Sequence, residues 1–226
     1  MKKIVSQIQK TKKKINSLSF DAHWYRRVFH TFGASFLFYY MLPDEHYLNQ
    51  IKIIIPVFII LIAITLELLR LKKKISSNHF FGLRVYEKDR IGSYLYFGIG
   101  IIILLFFFPQ QIAIPCILCA CFGDPIIGEI RNNYDKNKAI LIGFVVCLVF
   151  FIITWYNSKI EILILVSFIG ASSAILSEIK KIKWLDDDFM IQIIPAIIIL
   201  LLIMILNTVG FDIVFEKIIY PGLMPW

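Results

Sequence analysis

The chain has 226 residues, of which 58% are hydrophobic, and its formal net charge at pH 7 is +8. Soluble domains are about 45–50% apolar, and the mean hydropathy of +0.75 favours an integral membrane protein. The length suits one compact membrane domain and leaves no room for a second, soluble one. We expect no nucleic-acid partner, because the lysines and arginines cluster at the ends of apolar segments, where a membrane surface explains them.

Residues 1–25 are polar and rich in lysine, and no apolar segment follows them directly. They therefore do not resemble a cleaved signal peptide. Apolar residues at loose helical spacing would let this segment lie on an anionic lipid surface, and a solvated basic tail is the alternative. Residues 26–226 are predicted to form a single polytopic membrane domain.

Seven apolar segments follow, and most approach the roughly 20 residues that cross ~30 Å of hydrocarbon. They are Val28–Leu42, Ile51–Leu69, Gly92–Pro109, Gln111–Glu129, Ala139–Tyr156, Ile162–Ser177 and Phe189–Val209. The predicted fold class is therefore an all-α integral membrane protein with about seven transmembrane helices.

The charges of the connecting loops predict how these helices are oriented. Every lysine and arginine except Lys52, Lys159 and Lys217 lies before the first segment or in the second, fourth and sixth loops, on the same side. Cytoplasmic loops carry an excess of lysine and arginine, so we expect the N-terminus in the cytoplasm and the C-terminus outside. The membrane would be the plasma membrane of a prokaryote or the endoplasmic-reticulum membrane of a eukaryote.

The four cysteines, Cys116, Cys119, Cys121 and Cys147, all lie within apolar segments. No histidine accompanies the C-x-x-C-x-C spacing, which disfavours a zinc site. We expect these residues to be buried thiols that pack as small apolar side chains rather than form disulfides.

Polar residues within or beside the apolar segments collect on the predicted cytoplasmic side. Asp124 closes the fourth segment, and a carboxylate at a membrane edge is costly enough to indicate a functional site. Any one of these residues has a structural explanation as an anchor, an ion pair or a helix cap, but six segments contribute to one side. The candidates are Arg26, Arg27, His30, Glu67, Arg70, Arg84, Glu87, Arg90, Asp124, Gly128, Glu129, Arg131, Lys138, Glu178, Asp186, Asp187 and Asp188.

Carboxylates and arginines on one membrane face suit a nucleotide–metal complex beside a lipid. Carboxylate oxygens bind Mg²⁺, which often bridges to substrate phosphates, and arginines match phosphate oxygens bidentately. Phosphoryl transfer depends mainly on positioning and charge neutralisation, so it needs no serine nucleophile. The chain contains neither G-x-x-x-x-G-K-[ST] nor G-x-G-x-x-G, which argues against a common ATPase.

Several short motifs lie in order between residues 26 and 195. They are Arg26-Arg27-Val28-Phe29-His30, Glu67-Leu68-Leu69-Arg70, Arg84-Val85-Tyr86-Glu87 leading into 92–98, Gly123-Asp124-Pro125, and Glu178 followed by Leu185-Asp186-Asp187-Asp188-Phe189 and Pro195. In this order they resemble the CTP-dependent lipid kinase family of dolichol kinase, phytol kinase and CTP-dependent diacylglycerol kinase, a distant relative of phosphatidate cytidylyltransferase. The chain departs from the family pattern at Ile127, Arg131 and Asp188, where the family usually has Ala, Gly and Asn.

The resemblance implies CTP-dependent phosphorylation of a lipid alcohol, either a polyprenol-like isoprenoid or diacylglycerol, at the cytoplasmic membrane face. Asp124, Arg26 and His30 are the catalytic candidates, and His30 or a carboxylate would accept the hydroxyl proton. Asp124 would hold Mg²⁺, with Asp187 or Glu129 as a second ligand. The triphosphate would contact Arg26, Arg27, Arg84, Arg90, Arg131 and Lys138. Residues expected to support the site are Glu67, Arg70, Glu87, Gly128, Glu178 and Asp186.

Two other functions are compatible with this sequence. A cytidylyltransferase would use the same CTP and Mg²⁺ to attach CMP to a lipid phosphate. A transporter or non-catalytic membrane protein would need no nucleotide, although transporters usually carry charge at mid-membrane and show paired repeats. The sequence shows neither feature, so the kinase is the leading hypothesis. The sequence does not predict the oligomeric state.

Overall fold

The structure is a computed structural model, and it describes residues 22–76, 80, 83, 87, 89–179 and 185–221. All regular secondary structure in these ranges is helical. The elements are α1 Ala22–Gly33, a 3₁₀ segment Ala34–Met41, α2 His46–Leu71, α3 Ser93–Phe107, α4 Gln110–Leu118, a π-turn Cys119–Gly123, α5 Asp124–Asn133, α6 Lys136–Thr154, α7 Ile160–Ile179 and α8 Asp187–Thr208. Most of the predicted basic tail 1–25 lies outside the described residues.

Five helices are long and apolar enough to cross a membrane, judged by their length and composition. They are α2, α6, α7, α8 and the continuous helix Gln110–Arg131 formed by α4, the π-turn and the start of α5. The predicted all-helical membrane class therefore agrees with the structure at this coarser level. The count of seven spans and the orientation of the termini stay predictions.

The two remaining apolar segments are shorter helices. Helix α3 has 15 residues, which corresponds to only about 22 Å. The first segment combines the 12 α-helical residues of α1 with eight residues of 3₁₀ helix. Because a 3₁₀ helix rises by about 2 Å per residue, the two together extend over roughly 34 Å. Together these residues thus have a length comparable to the hydrocarbon thickness of a membrane.

The helix Gln110–Arg131 lies at the centre of the bundle. In its most apolar stretch of 18 residues, 67% of the residues are buried, against 11% in the corresponding stretch of α2. Helices α6 and α8 pack along this central helix, and α1 contacts its π-turn. Helix α7 lies between α6 and α8, and α2 packs mainly on α3 at the periphery. The core includes many isoleucine, leucine and alanine side chains together with the four cysteines. All four cysteines are free thiols. This agrees with the cysteine environment predicted from the sequence.

Pro125 sets the path of the central helix. Proline has no N–H group, and its ring clashes with the carbonyl four residues earlier in a regular helix. The π-turn Cys119–Gly123 lies immediately before the proline, and the helix continues through Pro125 to Arg131. Such π-turns occur frequently at functional sites.

Contacts between distant parts of the chain concentrate at the two ends of the bundle. At one end the C-terminal segment folds back on the first turn of α4, where the backbone N–H groups of Ile218 and Ile219 donate to Gln110 Oε1, both at 2.9 Å. At the same end, Lys52 and Lys217 form salt bridges with Asp44. The other end, which we call the carboxylate end, contains His30, Asp124, Glu178 and Asp188.

Candidate functional site

Three separate elements bring His30, Asp124 and Asp188 together at the carboxylate end. His30 Nδ1 lies 3.8 Å from Asp124 Oδ2, and His30 Nε2 lies 3.6 Å from Asp188 Oδ2. The side chains of His30 and Asp188 are buried, and that of Asp124 is 15% exposed. One ligand atom from each residue lies within 4.8 Å of the others, a spacing that could hold one metal ion. We call this group the acid centre.

Glycine and aromatic packing place His30 at this depth. The imidazole packs against Phe97 of α3, with ring centroids 4.5 Å apart. Gly33 lies one turn later on α1, where an added Cβ would come within 2.5 Å of Phe97 Cζ and 3.0 Å of Cys121 Sγ. Only a glycine at this position lets α1 approach α3 and the π-turn closely enough to bury His30.

The π-turn also supplies a backbone acceptor for His30. The N–H of Asp124 donates to the carbonyl of Cys119, and Pro125 has no N–H to offer. The carbonyl of Ala120 therefore loses both donors that would follow it in the helix, and His30 Nδ1 lies 3.4 Å from it. When Nδ1 carries the proton for this bond, Nε2 is left as a lone-pair donor facing Asp188. Metal-binding histidines commonly have this arrangement.

The start of α8 contributes three consecutive carboxylates, Asp186, Asp187 and Asp188. Asp186 caps the helix by accepting a hydrogen bond from the backbone N–H of Asp188 at 3.1 Å. These three residues form a second group whose spacing could hold a cation. Burial first, and then the charges of Asp188 and Asp187, raise the pKa of Asp186 to about 9. A cation bound among these carboxylates would relieve the repulsion that raises this pKa.

Gln192 holds α8 against α3 one turn below the acid centre. Its Nε2 donates to the carbonyls of Asp188 at 2.8 Å and Phe97 at 3.3 Å. Gly100 provides the space, because a Cβ at this position would lie 2.6 Å from Gln192 Oε1. Gln192 thus joins the helix that carries Asp188 to the helix that packs against His30.

Two ion pairs form the rim of the acid centre. Arg131 Nη1 lies 3.0 Å from Glu178 Oε1, and Arg27 pairs with Glu129. Glu178 also lies close enough to Asp124 and Asp187 for their charges to act on it. The guanidinium groups of both arginines are partly exposed, so they can reach an anion that approaches the acid centre from solvent.

Glu129 and Asp187, the two candidates for the second carboxylate ligand, have different surroundings. Within the described part of the chain, Glu129 belongs to neither group that could hold a metal, whereas Asp188 belongs to both. Glu129 lies one turn beyond Asp124 and turns toward Arg27 instead. Asp187 is retained as a member of the second group.

Glu67 and Arg70 form a separate buried cluster at the end of α2. Arg70 donates to both carboxylate oxygens of Glu67, at 2.8 and 2.6 Å, and to the backbone carbonyls of Glu87 and Arg90. Glu67 also accepts bonds from the N–H of Gly92 at 2.5 Å and from the hydroxyl of Tyr94 at 2.6 Å. This pair therefore fastens the loop before α3 to the end of α2, and Glu87 enters the cluster through its carbonyl.

Other predicted phosphate-binding residues are not joined to the acid centre by the contacts described. Lys138 is exposed in the first turn of α6, and the exposed Arg90 contributes its carbonyl to Arg70. Arg84 and the side chain of Arg26 lie outside the described residues. Their predicted roles stay predictions.

Asp188 and Gln192 are the site residues to which the sequence analysis assigned no role. Asp188 was noted within the Asp-Asp-Asp run, but Asp187 was chosen as the ligand. The missed signal is helical periodicity. Asp188 lies on the same face of α8 as the buried residues Gln192, Pro195 and Ile199, and residues three to four apart share a helix face.

Comparisons of this chain with protein-family models, with curated proteins and with solved structures found no match. The resemblance to CTP-dependent lipid kinases therefore stays a hypothesis based on short motifs.

Proposed function

We propose that this protein transfers the γ-phosphate of CTP to the hydroxyl of a membrane lipid, at the carboxylate end of the helical bundle. The observation that carries the proposal is the meeting of His30, Asp124 and Asp188 from three elements of an apolar helical bundle. Carboxylates and arginines next to hydrocarbon suit a charged phosphate donor and a lipid acceptor. The reaction converts a lipid alcohol and CTP into a lipid phosphate and CDP.

The donor set fits a hard divalent cation. Asp124 and Asp188 offer carboxylate oxygens at a spacing that could hold one ion, and Asp187 offers another nearby. Mg²⁺ binds proteins through one or two carboxylates together with substrate phosphates and water. Bound here, it would neutralise charge on the phosphates. The sequence left Asp187 and Glu129 as candidates for the second Mg²⁺ ligand. Of these two, Asp187 is the better candidate.

In this proposal, His30 accepts the proton of the lipid hydroxyl. With Nδ1 bonded to the carbonyl of Ala120, the Nε2 atom can accept a proton between two carboxylates that stabilise the imidazolium. Arg27 and Arg131 lie at the rim, where they can exchange a carboxylate partner for a phosphate. The N-terminus of α8 adds backbone dipoles that favour an anion.

The proposed topology has seven spans, a cytoplasmic N-terminus and an external C-terminus. Helix α3 and the α1–3₁₀ segment would be the two shorter spans. Two sets of contacts support the alternation of helix direction. Gln110 contacts the C-terminal segment at one end of the bundle, and His30 lies near Asp124 and Asp188 at the other end. The excess of lysine and arginine at the carboxylate end supports its cytoplasmic location.

The test uses purified protein in lipid nanodiscs with Mg²⁺ and CTP labelled at either the γ- or the α-phosphate. A panel of polyprenols and diacylglycerols serves as acceptors. We expect label from the γ-phosphate to enter the lipid fraction. Transfer of the α-label to a lipid phosphate would instead identify a cytidylyltransferase. If the protein transfers neither label and its melting temperature does not shift with nucleotide, both enzymatic proposals are contradicted.

Gly128→Ala is expected to stabilise the protein while weakening CTP binding. An added Cβ at Gly128 meets nothing within 4 Å, and alanine is favoured over glycine inside a helix by about 1 kcal/mol. Gly128 shares the face of α5 with Asp124 and Arg131, so in the proposed complex the open space belongs to the nucleotide. The melting temperature should rise by a few degrees, and the KM for CTP should increase.

Gly143→Ala provides the matched control on the neighbouring helix α6. There an added Cβ would lie 2.3 Å from Cγ1 of the buried Ile127, so the melting temperature should fall. If Gly128→Ala leaves the KM for CTP unchanged, the face of α5 is not in contact with the nucleotide.

A further inference from the structure

A cavity of about 450 Å³ lies between α7 and α8. Its buried floor includes Ser173, Ser177 and Met190, whereas Leu176 and Phe168 at its edge are 64% and 60% exposed. Ligand pockets typically measure about 300–1,000 Å³. The cavity is therefore large enough for a ligand, and it exists because small serine side chains line a helix pair that is otherwise bulky and apolar. We call it the α7–α8 groove.

The walls of the groove suit hydrocarbon rather than a polar head group. The hydroxyl of Ser173 donates to the carbonyl of Gly170 at 2.9 Å, and that of Ser177 donates to the carbonyl of Ala174 at 2.7 Å. Both protons are used within α7, so these serines do not offer them to a ligand. The remaining lining side chains are aliphatic, aromatic or thioether groups, apart from Ser172.

One end of the groove lies at about the same level along α7 and α8 as the acid centre. Ser177 immediately precedes Glu178, the partner of Arg131, and Met190 lies two residues after Asp188. The lining of α7 extends from there back to Phe168, which is about 14 Å along the helix axis. Both helices are long and apolar enough to cross a membrane. One end of the groove thus lies at the level of the charged groups along the helix axes, and the other lies deeper in the apolar part of the two helices.

We propose that the α7–α8 groove holds one hydrocarbon chain of the lipid whose hydroxyl is presented to the acid centre. This inference rests on the proposed function for the identity of the head group. The apolar lining of the groove suits a hydrocarbon chain, and the carboxylates at the level of its Ser177 end would face the polar head. The groove is bounded by only two helices and opens between exposed apolar residues, so a membrane-dissolved chain can enter sideways.

The test maps a photoreactive lipid on the intact protein. A long-chain primary alcohol that carries a terminal diazirine is added to phosphatidylcholine nanodiscs without nucleotide, and the crosslinked peptides are identified by mass spectrometry. We expect crosslinks to α7 and α8 that an excess of unlabelled long-chain alcohol removes. Ser173→Leu should reduce these crosslinks at least about tenfold, equivalent to about 1.4 kcal/mol of binding, because the larger side chain fills the floor.

Two further variants separate filling of the groove from misfolding. Leu176→Trp enlarges an exposed side chain at the mouth of the groove and should also reduce the crosslinks without lowering the melting temperature. Ser35→Leu makes the same replacement at an exposed position of the 3₁₀ segment, outside the groove, and should leave the crosslinks unchanged. If Ser173→Leu fails to fold, the wild-type crosslink map and Leu176→Trp still decide the question.

The outcomes distinguish this inference from the proposed function. Transfer of the γ-phosphate with crosslinks outside α7 and α8 would overturn the groove and keep the kinase. Competed crosslinks in the groove without any phosphate transfer would keep the groove and contradict the kinase. Crosslinks that phosphatidylcholine competes as well as the alcohol does would show an annular lipid only and overturn the inference. A change of oligomeric state in Ser173→Leu would indicate that a second copy occupies the groove, which would also overturn it.

Discussion

Asp124→Asn is expected to lower the rate of CTP-dependent phosphate transfer by about a thousandfold. The amide keeps the shape of the side chain but removes the negative charge that faces His30 and the proposed Mg²⁺. A catalytic cation contributes several kcal/mol of charge stabilisation, and about 4 kcal/mol corresponds to a factor of a thousand in rate. The measurement is the initial rate of γ-phosphate transfer in nanodiscs, together with Mn²⁺ binding followed by electron paramagnetic resonance.

Three parallel variants make this prediction specific. Asp188→Asn should reduce both transfer and Mn²⁺ binding strongly, because Asp188 shares the acid centre. Glu129→Gln should have a smaller effect, since Glu129 pairs with Arg27 at the rim. Asp44→Asn makes the same chemical change at the opposite end of the bundle, where Asp44 pairs with Lys52, and should leave both measurements near wild type. Substantial transfer by Asp124→Asn would refute the role assigned to this carboxylate.

The helices themselves follow from local sequence, and this explains why the apolar segments located them. Long apolar runs must satisfy their backbone hydrogen bonds internally in hydrocarbon, which favours helices. Their boundaries differ because a helix begins at its polar cap rather than at its first apolar residue. The last segment was predicted as Phe189–Val209, but α8 begins at Asp187 after the cap Asp186. The capping preference for aspartate could have corrected this boundary.

The first segment shows where composition is insufficient. Its apolar residues predicted one ordinary helix over Val28–Leu42, whereas the structure has an α-helix that changes to a 3₁₀ helix at Ala34. The change depends on how α1 meets α3 and the π-turn through Gly33. Such contacts join residues far apart in the chain, so local periodicity does not contain them.

The sequence made some members of the acid centre recognisable and left others hidden. Asp124 and His30 stand out because each is an ionisable residue in or beside an apolar segment. The identity of the third member was less evident, because three consecutive aspartates offer three directions and only the periodicity that places Asp188 on the buried face of α8 distinguishes it. The carbonyl of Ala120 is available to His30 because Pro125 has no N–H and the N–H of Asp124 bonds to Cys119. The sequence contains that proline but does not by itself show the π-turn that precedes it.

The cluster around Arg70 should be the most sensitive structural element among those described, and Arg70→Leu is expected to lower the free energy of unfolding by about 3–5 kcal/mol. The substitution leaves the carboxylate of Glu67, whose side chain is 2% exposed, buried without its cation. It also removes the donors that hold the carbonyls of Glu87 and Arg90. Denaturant unfolding in detergent, compared between the variant and wild type, measures the change.

Arg90→Leu is the matched control, because it makes the same replacement at an exposed side chain in the loop that Arg70 fastens, while keeping the carbonyl that Arg70 uses. Surface changes of this kind usually alter stability by less than about 0.5 kcal/mol. If Arg90 binds the triphosphate, this variant should raise the KM for CTP at unchanged stability, whereas Arg70→Leu should lower stability first. A stability loss in Arg70→Leu no larger than in Arg90→Leu would show that the buried pair does not fasten the loop. The two variants therefore separate the residue that holds the loop in place from the residue that the loop would present to the nucleotide.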